Sequence, residues 1–182
     1  MTRFVLALAV VIALAASVLY VESSKPGWYV RIRYPLAYEE IIRGHARNYE
    51  LDPALLAAVI YRESKFDSDA RSDSGAVGLM QLLPETARGI ATYTGGSKFV
   101  VSDLEDPEIN VRYGSFYLRR LIHKYEDVPF ALAAYNAGQA NVDEWRAEGR
   151  GIVFPETRAY VEEILELEDV YARAYAHELG LG

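Results

Sequence analysis

One helix-length segment in the first half of the chain constrains the fold more than any other feature. Asp52-Pro53 is typical of a helix start, because Asp accepts hydrogen bonds from free backbone N–H groups and Pro suits the first helical position. Residues 54–61 are then apolar at every position. A helix that is apolar on all sides has to be surrounded by protein, so we expect other elements to pack around it.

A carboxylate follows this apolar segment directly. The run ends in Arg62-Glu63-Ser64, and the chain then turns into residues typical of loops. Apolar surroundings and the negative end of the helix would both raise the pKa of Glu63. A shift from about 4.3 to about 6, at a free-energy cost of roughly 2.3 kcal/mol, would make this carboxyl a general acid near neutrality. The alternative is an ordinary ion pair with Arg62 or Lys65, and the residues alone leave both readings open.

Most of the chain after residue 35 has the pattern of amphipathic helices. Apolar residues at i, i+3 and i+4 predict a first helix across residues 38–49. Prolines at positions 84, 107 and 155 predict three further helix starts, and the apolar segment 129–138 predicts a short helix closed by Gly138. The segment "KFVVSDL", residues 98–104, is the only strand candidate. The sequence therefore predicts a mainly α domain with at most a minimal β element.

The N-terminal segment is a separate compositional region. Residues 4–21 contain no charge, and as a helix these 18 residues would span roughly 27 Å, close to the thickness of a bilayer core. We expect residues 1–21 to form a hydrophobic helix, either an uncleaved membrane anchor or a signal peptide cleaved near Ala13-Leu14-Ala15. Residues 22–35 would be a tether and residues 36–182 the folded domain. Under either alternative the domain is exported.

Charge and cysteine content exclude several classes of function. The net charge of −7 argues against nucleic-acid binding, which requires a basic surface. With no cysteine, the chain has no disulfide, iron–sulfur cluster or thiolate metal site. Its three histidines, at positions 45, 123 and 177, lack metal-ligand spacing, and we expect them at the surface or partly packed. We therefore predict neither a metal nor a cofactor.

Three segments together resemble the signature segments of the soluble lytic transglycosylase family, lysozyme-like enzymes that cut peptidoglycan. They are "ESKFDSDARSDSGAVGLMQLLPETA", "ALAAYNAG" and "FPETRAYVEEIL", and the resemblance covers about residues 36–170. It implies a lysozyme-like transglycosylase domain for residues 36–182. Leu83 departs from the pattern, since some members carry methionine there.

The resemblance also implies roles for particular residues. Glu63 matches the family's single catalytic acid/base, Ser72 a serine that contacts the substrate's N-acetyl group, and Tyr135 a tyrosine close to the catalytic carboxyl. The residues expected to bind substrate are Ser64, Ser72, Gly78, Met80, Gln81, Tyr135, Asn136 and Glu156.

The reaction implied by the resemblance is non-hydrolytic cleavage of the β-1,4 bond between N-acetylmuramic acid and N-acetylglucosamine, leaving a 1,6-anhydro end. Two alternatives remain: a hydrolytic muramidase in which Asp67, Asp69 or Asp73 positions a water, and a non-catalytic peptidoglycan-binding module. The expected partners are peptidoglycan strands and, through the N-terminal helix, the membrane. The expected location is the cell envelope, with the domain outside the cytoplasm, secreted or periplasmic if the N-terminal segment is cleaved.

Overall fold

The structure, a computed structural model, describes residues 2–24 and 26–181, apart from the side chains at positions 2, 3, 5, 8, 9, 18 and 21–23. Contacts within the chain divide it into two units, Met1–Pro35 and Leu36–Gly182. The second unit contains all of the residues to which a catalytic or binding role is assigned above.

The first unit consists of two helices, α1 (Thr2–Ser24) and α2 (Gly27–Arg33). Among the residues described, no helix has both the length and the hydropathy to cross a bilayer. The predicted anchor gains no support from this finding, and part of it, including residue 1, lies outside the described residues. Helix α2 was not predicted, because residues 22–35 were expected to form only a tether. Its first turn closes through a 3.0 Å bond from the Val30 N–H to the Pro26 carbonyl.

The second unit is helical. It contains α3 (Glu39–Asn48), α4 (Pro53–Ser64), α5 (Pro84–Thr94), a 3₁₀ helix (Val101–Glu105), α6 (Pro107–Tyr125), α7 (Val128–Ala137), α8 (Gln139–Ala147), α9 (Pro155–Ala174) and α10 (Ala176–Leu179). Its described residues form no strand, and isolated bridges join Val77 to Arg71 and to Leu82. The predicted mainly α class with a minimal β element is confirmed.

Aspartate caps explain where three of these helices begin. The Asp52 side chain accepts from the N–H of Ala54 at 2.7 Å, as the sequence predicted. Asp106 caps α6 through the N–H of Glu108 at 2.8 Å, and Asp127 caps α7 in the same way. In all three helices a proline occupies the first turn, where a backbone N–H has no partner within the helix, so proline costs no hydrogen bond there.

Helix α4 forms the centre of the core. Every residue from 54 to 61 is buried, which confirms the central prediction from the sequence. The helix packs chiefly against α9 and also against α3. Helix α9 contributes a buried stripe that includes Tyr160, Ile164 and Tyr171. Burying each large aliphatic side chain of this interface contributes about 1.5–3 kcal/mol, so the position of α4 against α9 is strongly determined.

Three expectations were wrong or incomplete. Residues 98–104 form no strand, because the N–H of Val100 donates to the Asp103 carboxylate at 2.9 Å and the chain continues as a 3₁₀ helix. Helix α8 was missed because only Val142 and Trp145 are buried on it, too few for a clear periodic pattern. His45 is buried, not at the surface, with its Nε2 2.9 Å from a carboxylate oxygen of Glu108.

Candidate active site

A cleft of about 400 Å³ lies where the end of α4, the loop 65–83 and the end of α7 meet. Five of the nine residues predicted from the sequence line it. They are Glu63, Ser72, Gln81, Tyr135 and Asn136. The fold therefore brings together residues that lie up to 73 positions apart in the chain.

Glu63 is the penultimate residue of α4, and its carboxyl is held by one neutral donor. The hydroxyl of Tyr160, in α9, donates to Glu63 Oε1 at 2.5 Å. Burial raises the pKa of Glu63 from 4.5 to about 6, whereas the Tyr160 hydrogen bond and the charge of Arg62 lower this pKa by less. The value agrees with the one expected from the sequence, and with this pKa the carboxyl is half protonated at about pH 6 and retains its proton in about a tenth of the molecules at pH 7.

The ordinary ion pair considered for Glu63 does not form. Arg62 pairs with Glu163, with 2.6 Å between Nε and Oε2, and its guanidinium lies 5.2 Å from the centre of the Tyr160 ring. Lys65 is exposed and begins the loop in a left-handed conformation, with φ of 54°. Within the described part of the chain, no cation lies within ion-pair distance of the Glu63 carboxylate. Glu63 is therefore available as an acid.

Replacing Tyr160 with phenylalanine should raise the pKa of Glu63 further. The hydroxyl stabilises the ionised carboxylate, so its removal favours the protonated form. The measurement is an NMR titration of the Glu63 side-chain carboxyl carbon in both proteins. Tyr125→Phe is the matched control, because Tyr125 also donates to a carboxylate, but to that of Asp143 and not to that of Glu63. An unchanged or lower pKa in Tyr160→Phe would contradict the assigned bond.

The loop 65–83 is fixed by hydrogen bonds to a buried asparagine of α6. Asn110 Oδ1 accepts from the Met80 N–H at 2.8 Å, and its Nδ2 donates to the carbonyls of Val77 and Leu104 at 2.9 and 2.8 Å. Asn110 is fully buried. This clamp gives the loop one conformation, which in turn fixes the wall of the cleft.

Gln81 and Ser72 are the cleft residues that this loop carries. The Gln81 Nε2 donates to the carbonyls of Ala70 and Gly78, at 3.0 and 2.9 Å. The Ser72 hydroxyl accepts from the Ala76 N–H at 3.0 Å. Both side chains are therefore held in place before any ligand binds.

Tyr135 and Asn136 enter the cleft from the last turn of α7. The Tyr135 hydroxyl donates to the Met80 carbonyl at 2.8 Å, and Asn136 Oδ1 accepts from the Thr157 hydroxyl at 2.8 Å. Burial, reinforced by the neighbouring Glu63 charge, raises the pKa of Tyr135 well above its ordinary value, so its hydroxyl remains a neutral donor.

The other four predicted residues do not line the cleft. The Ser64 hydroxyl donates to the Leu79 carbonyl at 2.9 Å, and the Met80 side chain of the loop is fully buried. Gly78 has φ of +78°, and a Cβ there would lie 2.2 Å from Asn110 Nδ2, so glycine is required by packing against the clamp. Glu156 is exposed in the first turn of α9.

Tyr160 is the hydrogen-bond partner of Glu63 that was not predicted from the sequence. It lies in the segment Glu156-Thr157-Arg158-Ala159-Tyr160, which carried part of the family resemblance, but no role was expected for it. The position of Tyr160 in that segment is the sequence feature that could have identified it. Burial and the nearby Glu63 charge raise the pKa of Tyr160 well above its ordinary value.

Among the residues that the structure describes, no second carboxylate lines the cleft with Glu63. Asp67, Asp69 and Asp73 are exposed, and Asp67 accepts from the Asp69 N–H at 2.9 Å, as turn residues do. Among the described residues that line the cleft, Glu63 is the only acidic one. A site with one carboxyl of raised pKa can donate a proton and take it back, but it has no separate base to activate a water.

Comparisons with known proteins point to one group. The family model described as "Transglycosylase SLT domain" matches residues 40–151. The chain is 31% identical over 165 residues to the soluble lytic murein transglycosylase of Salmonella typhimurium, and the match covers 81% of this chain and 24% of that protein. It is 42% identical over 100 residues to the membrane-bound lytic murein transglycosylase F of Yersinia enterocolitica, a match that covers 51% of this chain and 19% of that protein.

Solved structures give the same result. The 70 kDa soluble lytic transglycosylase of Escherichia coli matches with a TM-score of 0.76 at 28% identity, over 91% of this chain and 29% of that one. The lytic transglycosylase Slt of Pseudomonas aeruginosa matches with a TM-score of 0.75 at 32% identity, over 84% of this chain and 26% of that one. The chain thus spans about a quarter of the length of these relatives.

Proposed function

The chain belongs to the transglycosylase SLT family, and from this premise we propose that its Leu36–Gly182 unit is a peptidoglycan lytic transglycosylase. The family resemblance and the lysozyme-like fold expected from the sequence are both confirmed. The proposed reaction cleaves the β-1,4 bond between N-acetylmuramic acid and N-acetylglucosamine without water.

One observation supports this reaction above the alternatives: Glu63 is the single acidic residue among the described lining of the cleft, and its pKa is raised to about 6. In the first step the protonated carboxyl donates to the glycosidic oxygen, and the bond between that oxygen and the muramoyl C1 breaks. The Glu63 carboxylate then takes the proton of the muramoyl 6-hydroxyl while the oxygen of that hydroxyl bonds to C1. The 1,6-anhydro ring forms and Glu63 regains its proton, so one group suffices.

Two fixed amides in the cleft are suited to hold the sugars. Asn136 uses its oxygen to accept from Thr157, which leaves its NH₂ group without a bond among the described residues. Gln81 uses its NH₂ group to donate twice, which leaves its oxygen similarly free. The cleft thus offers one donor and one acceptor, and sugar hydroxyls and N-acetyl groups can bond to both.

The predicted substrate-binding residues separate into two proposed roles. Ser72, Gln81, Tyr135 and Asn136 line the cleft and are proposed to contact the glycan. Ser64, Gly78 and Met80 are proposed to position the loop through their contacts with Leu79, Asn110 and Tyr135. The exposed position of Glu156 supports no direct contact.

The product distinguishes the proposed reaction from its competitors. We expect digestion of purified sacculi to release muropeptides one water lighter than the hydrolytic products, detected by mass spectrometry as 1,6-anhydro ends. Reducing muramic ends would instead indicate a hydrolytic muramidase. Binding to sacculi without release of soluble fragments would indicate a non-catalytic module.

We propose that this unit acts in the cell envelope, outside the cytoplasm, where its proposed substrate is found. The uncharged residues 4–21 support export. Attachment to the membrane through α1 is not part of the proposal, because no helix among the described residues meets the requirements for crossing a bilayer.

A further inference from the structure

A second cavity, of about 360 Å³, adjoins the Glu63 cleft. The two share Thr86 and Tyr117 in their lining. We call the second one the cationic cavity, since it is lined by Arg120 and Lys124 together with Tyr93, Gln139 and the two shared residues. A ligand that leaves the cleft past Thr86 and Tyr117 would enter this space.

The charge of this cavity is opposite to that of the chain. The chain has a net charge of −7, yet no acidic residue is among the described residues lining the cavity. Lys124 is already neutralised, because its Nζ lies 2.7 Å from Asp143 Oδ2. Arg120 is exposed, and no carboxylate of the described chain lies within ion-pair distance of it.

Two aromatic rings hold the Arg120 guanidinium in place. It lies 4.7 Å from the centre of the Tyr93 ring and 5.8 Å from that of Phe116. Tyr93 is itself 70% exposed, so this stacked pair forms an open wall of the cavity. A planar guanidinium fixed in this way loses little entropy when it binds a carboxylate through two parallel hydrogen bonds.

We propose that the cationic cavity binds a carboxylate of the peptide that branches from the muramoyl sugar beside the bond to be cut. This inference rests on the proposed function. In a peptide-bearing strand the lactyl carboxyl of the muramoyl sugar is amide-bonded and uncharged, whereas the peptide attached to it carries free carboxylates. The cavity adjoins the cleft at Thr86 and Tyr117, and its unpaired cation has the complementary charge.

The test compares one variant on two substrates. Arg120→Glu should lower kcat/KM about tenfold on peptide-bearing glycan strands, equivalent to about 1.4 kcal/mol. It should leave kcat/KM unchanged on strands whose free peptide carboxylates have been converted to amides, which removes the proposed anion without exposing the lactyl carboxylate of the sugar. Equal losses on both substrates, or no loss on either, would overturn the inference.

Arg112→Glu is the matched control. Arg112 lies eight residues earlier on α6, is also exposed, and its guanidinium is 5.4 Å from the centre of the Tyr113 ring, but it lines a different cavity. The same charge reversal there should affect neither substrate. A similar loss in this variant would mean that overall charge, not the cavity, is responsible, and would overturn the inference.

Binding measurements keep this inference separate from the proposed function. Calorimetry with strand fragments whose peptide carboxylates are free or converted to amides should show a loss of affinity in Arg120→Glu for the free-carboxylate fragment alone. This difference can be measured even if the chain cleaves neither fragment, a result that would contradict the proposed function only. If inorganic phosphate competes for Arg120 while the two fragments bind equally, the cavity is a general anion site and the inference is wrong.

Discussion

Replacing Glu63 with glutamine should lower the rate of glycan cleavage by at least about 10²-fold, the usual contribution of a positioned general acid. Glutamine has nearly the same shape and can still accept from the Tyr160 hydroxyl, which donates at 2.5 Å in the native site. It cannot donate a proton to the glycosidic oxygen or take one from the 6-hydroxyl. The measurement is the release of soluble muropeptides from sacculi at pH 5 to 7.

The same variant should be folded, and its stability should depend on pH in a defined direction. The pKa of Glu63 is about 6 in the folded chain against 4.5 ordinarily, so the folded state resists ionisation. The contribution of Glu63 to the stability of the wild type is therefore fully present below pH 4.5, and about 2 kcal/mol is lost as the pH rises through 6. Glutamine does not titrate, so Glu63→Gln should gain about that much relative to the wild type between pH 4 and pH 8.

Glu162→Gln is the matched control for both effects. Glu162 is an exposed glutamate of α9 that lines no part of the cleft. Its replacement should change neither the cleavage rate nor the pH dependence of unfolding. Full activity in Glu63→Gln would remove Glu63 from the reaction, and a stability difference that does not vary with pH would contradict its raised pKa.

Replacing Asn110 with alanine should destabilise the domain by about 3 kcal/mol and abolish most activity. The side chain makes three hydrogen bonds from a fully buried position, and its loss leaves the Met80 N–H without its partner and opens a small void. The loop that carries Ser72 and Gln81 loses its anchor at the same time. Urea unfolding measures the first effect and muropeptide release the second.

Asn141→Ala provides the comparison. Asn141 makes one local bond, from Nδ2 to the Ala137 carbonyl at 2.7 Å, and is only half-buried. We expect its replacement to cost less than about 1 kcal/mol. If the two variants were destabilised equally, the Asn110 clamp would have no special importance for the loop.

Local chemistry made much of this domain predictable. Asp52 and Pro53 determine where α4 begins, because the cap and the fixed proline φ depend only on neighbouring residues. The apolar residues 54–61 required a surrounding core, and they are buried. Burial at the end of that helix also predicted the raised pKa of Glu63, since desolvation acts whichever residues provide the apolar surroundings.

Residues that act over long sequence distances were not predictable in this way. From the sequence Asn110 is an ordinary polar residue in a helix. Nothing in the neighbouring residues indicates that its side chain binds a loop 30 positions earlier. Tyr160 fitted an apolar stripe equally well, although its hydroxyl reaches a carboxylate 97 positions away. The strand expected at residues 98–104 failed because one local bond to Asp103 outweighed its β-branched composition.

The sequence by itself determined most of the helices, the buried α4 and the acidic group at its end, because caps, periodicity and desolvation are properties of contiguous residues. Only the tertiary structure decided which residue donates a hydrogen bond to the Glu63 carboxyl, whether the neighbouring cation pairs with Glu63 or with another carboxylate, and which cavity adjoins the cleft. These features depend on α6, α7 and α9 packing around α4, and that packing brings together side chains whose separation along the chain carries no information about their contact.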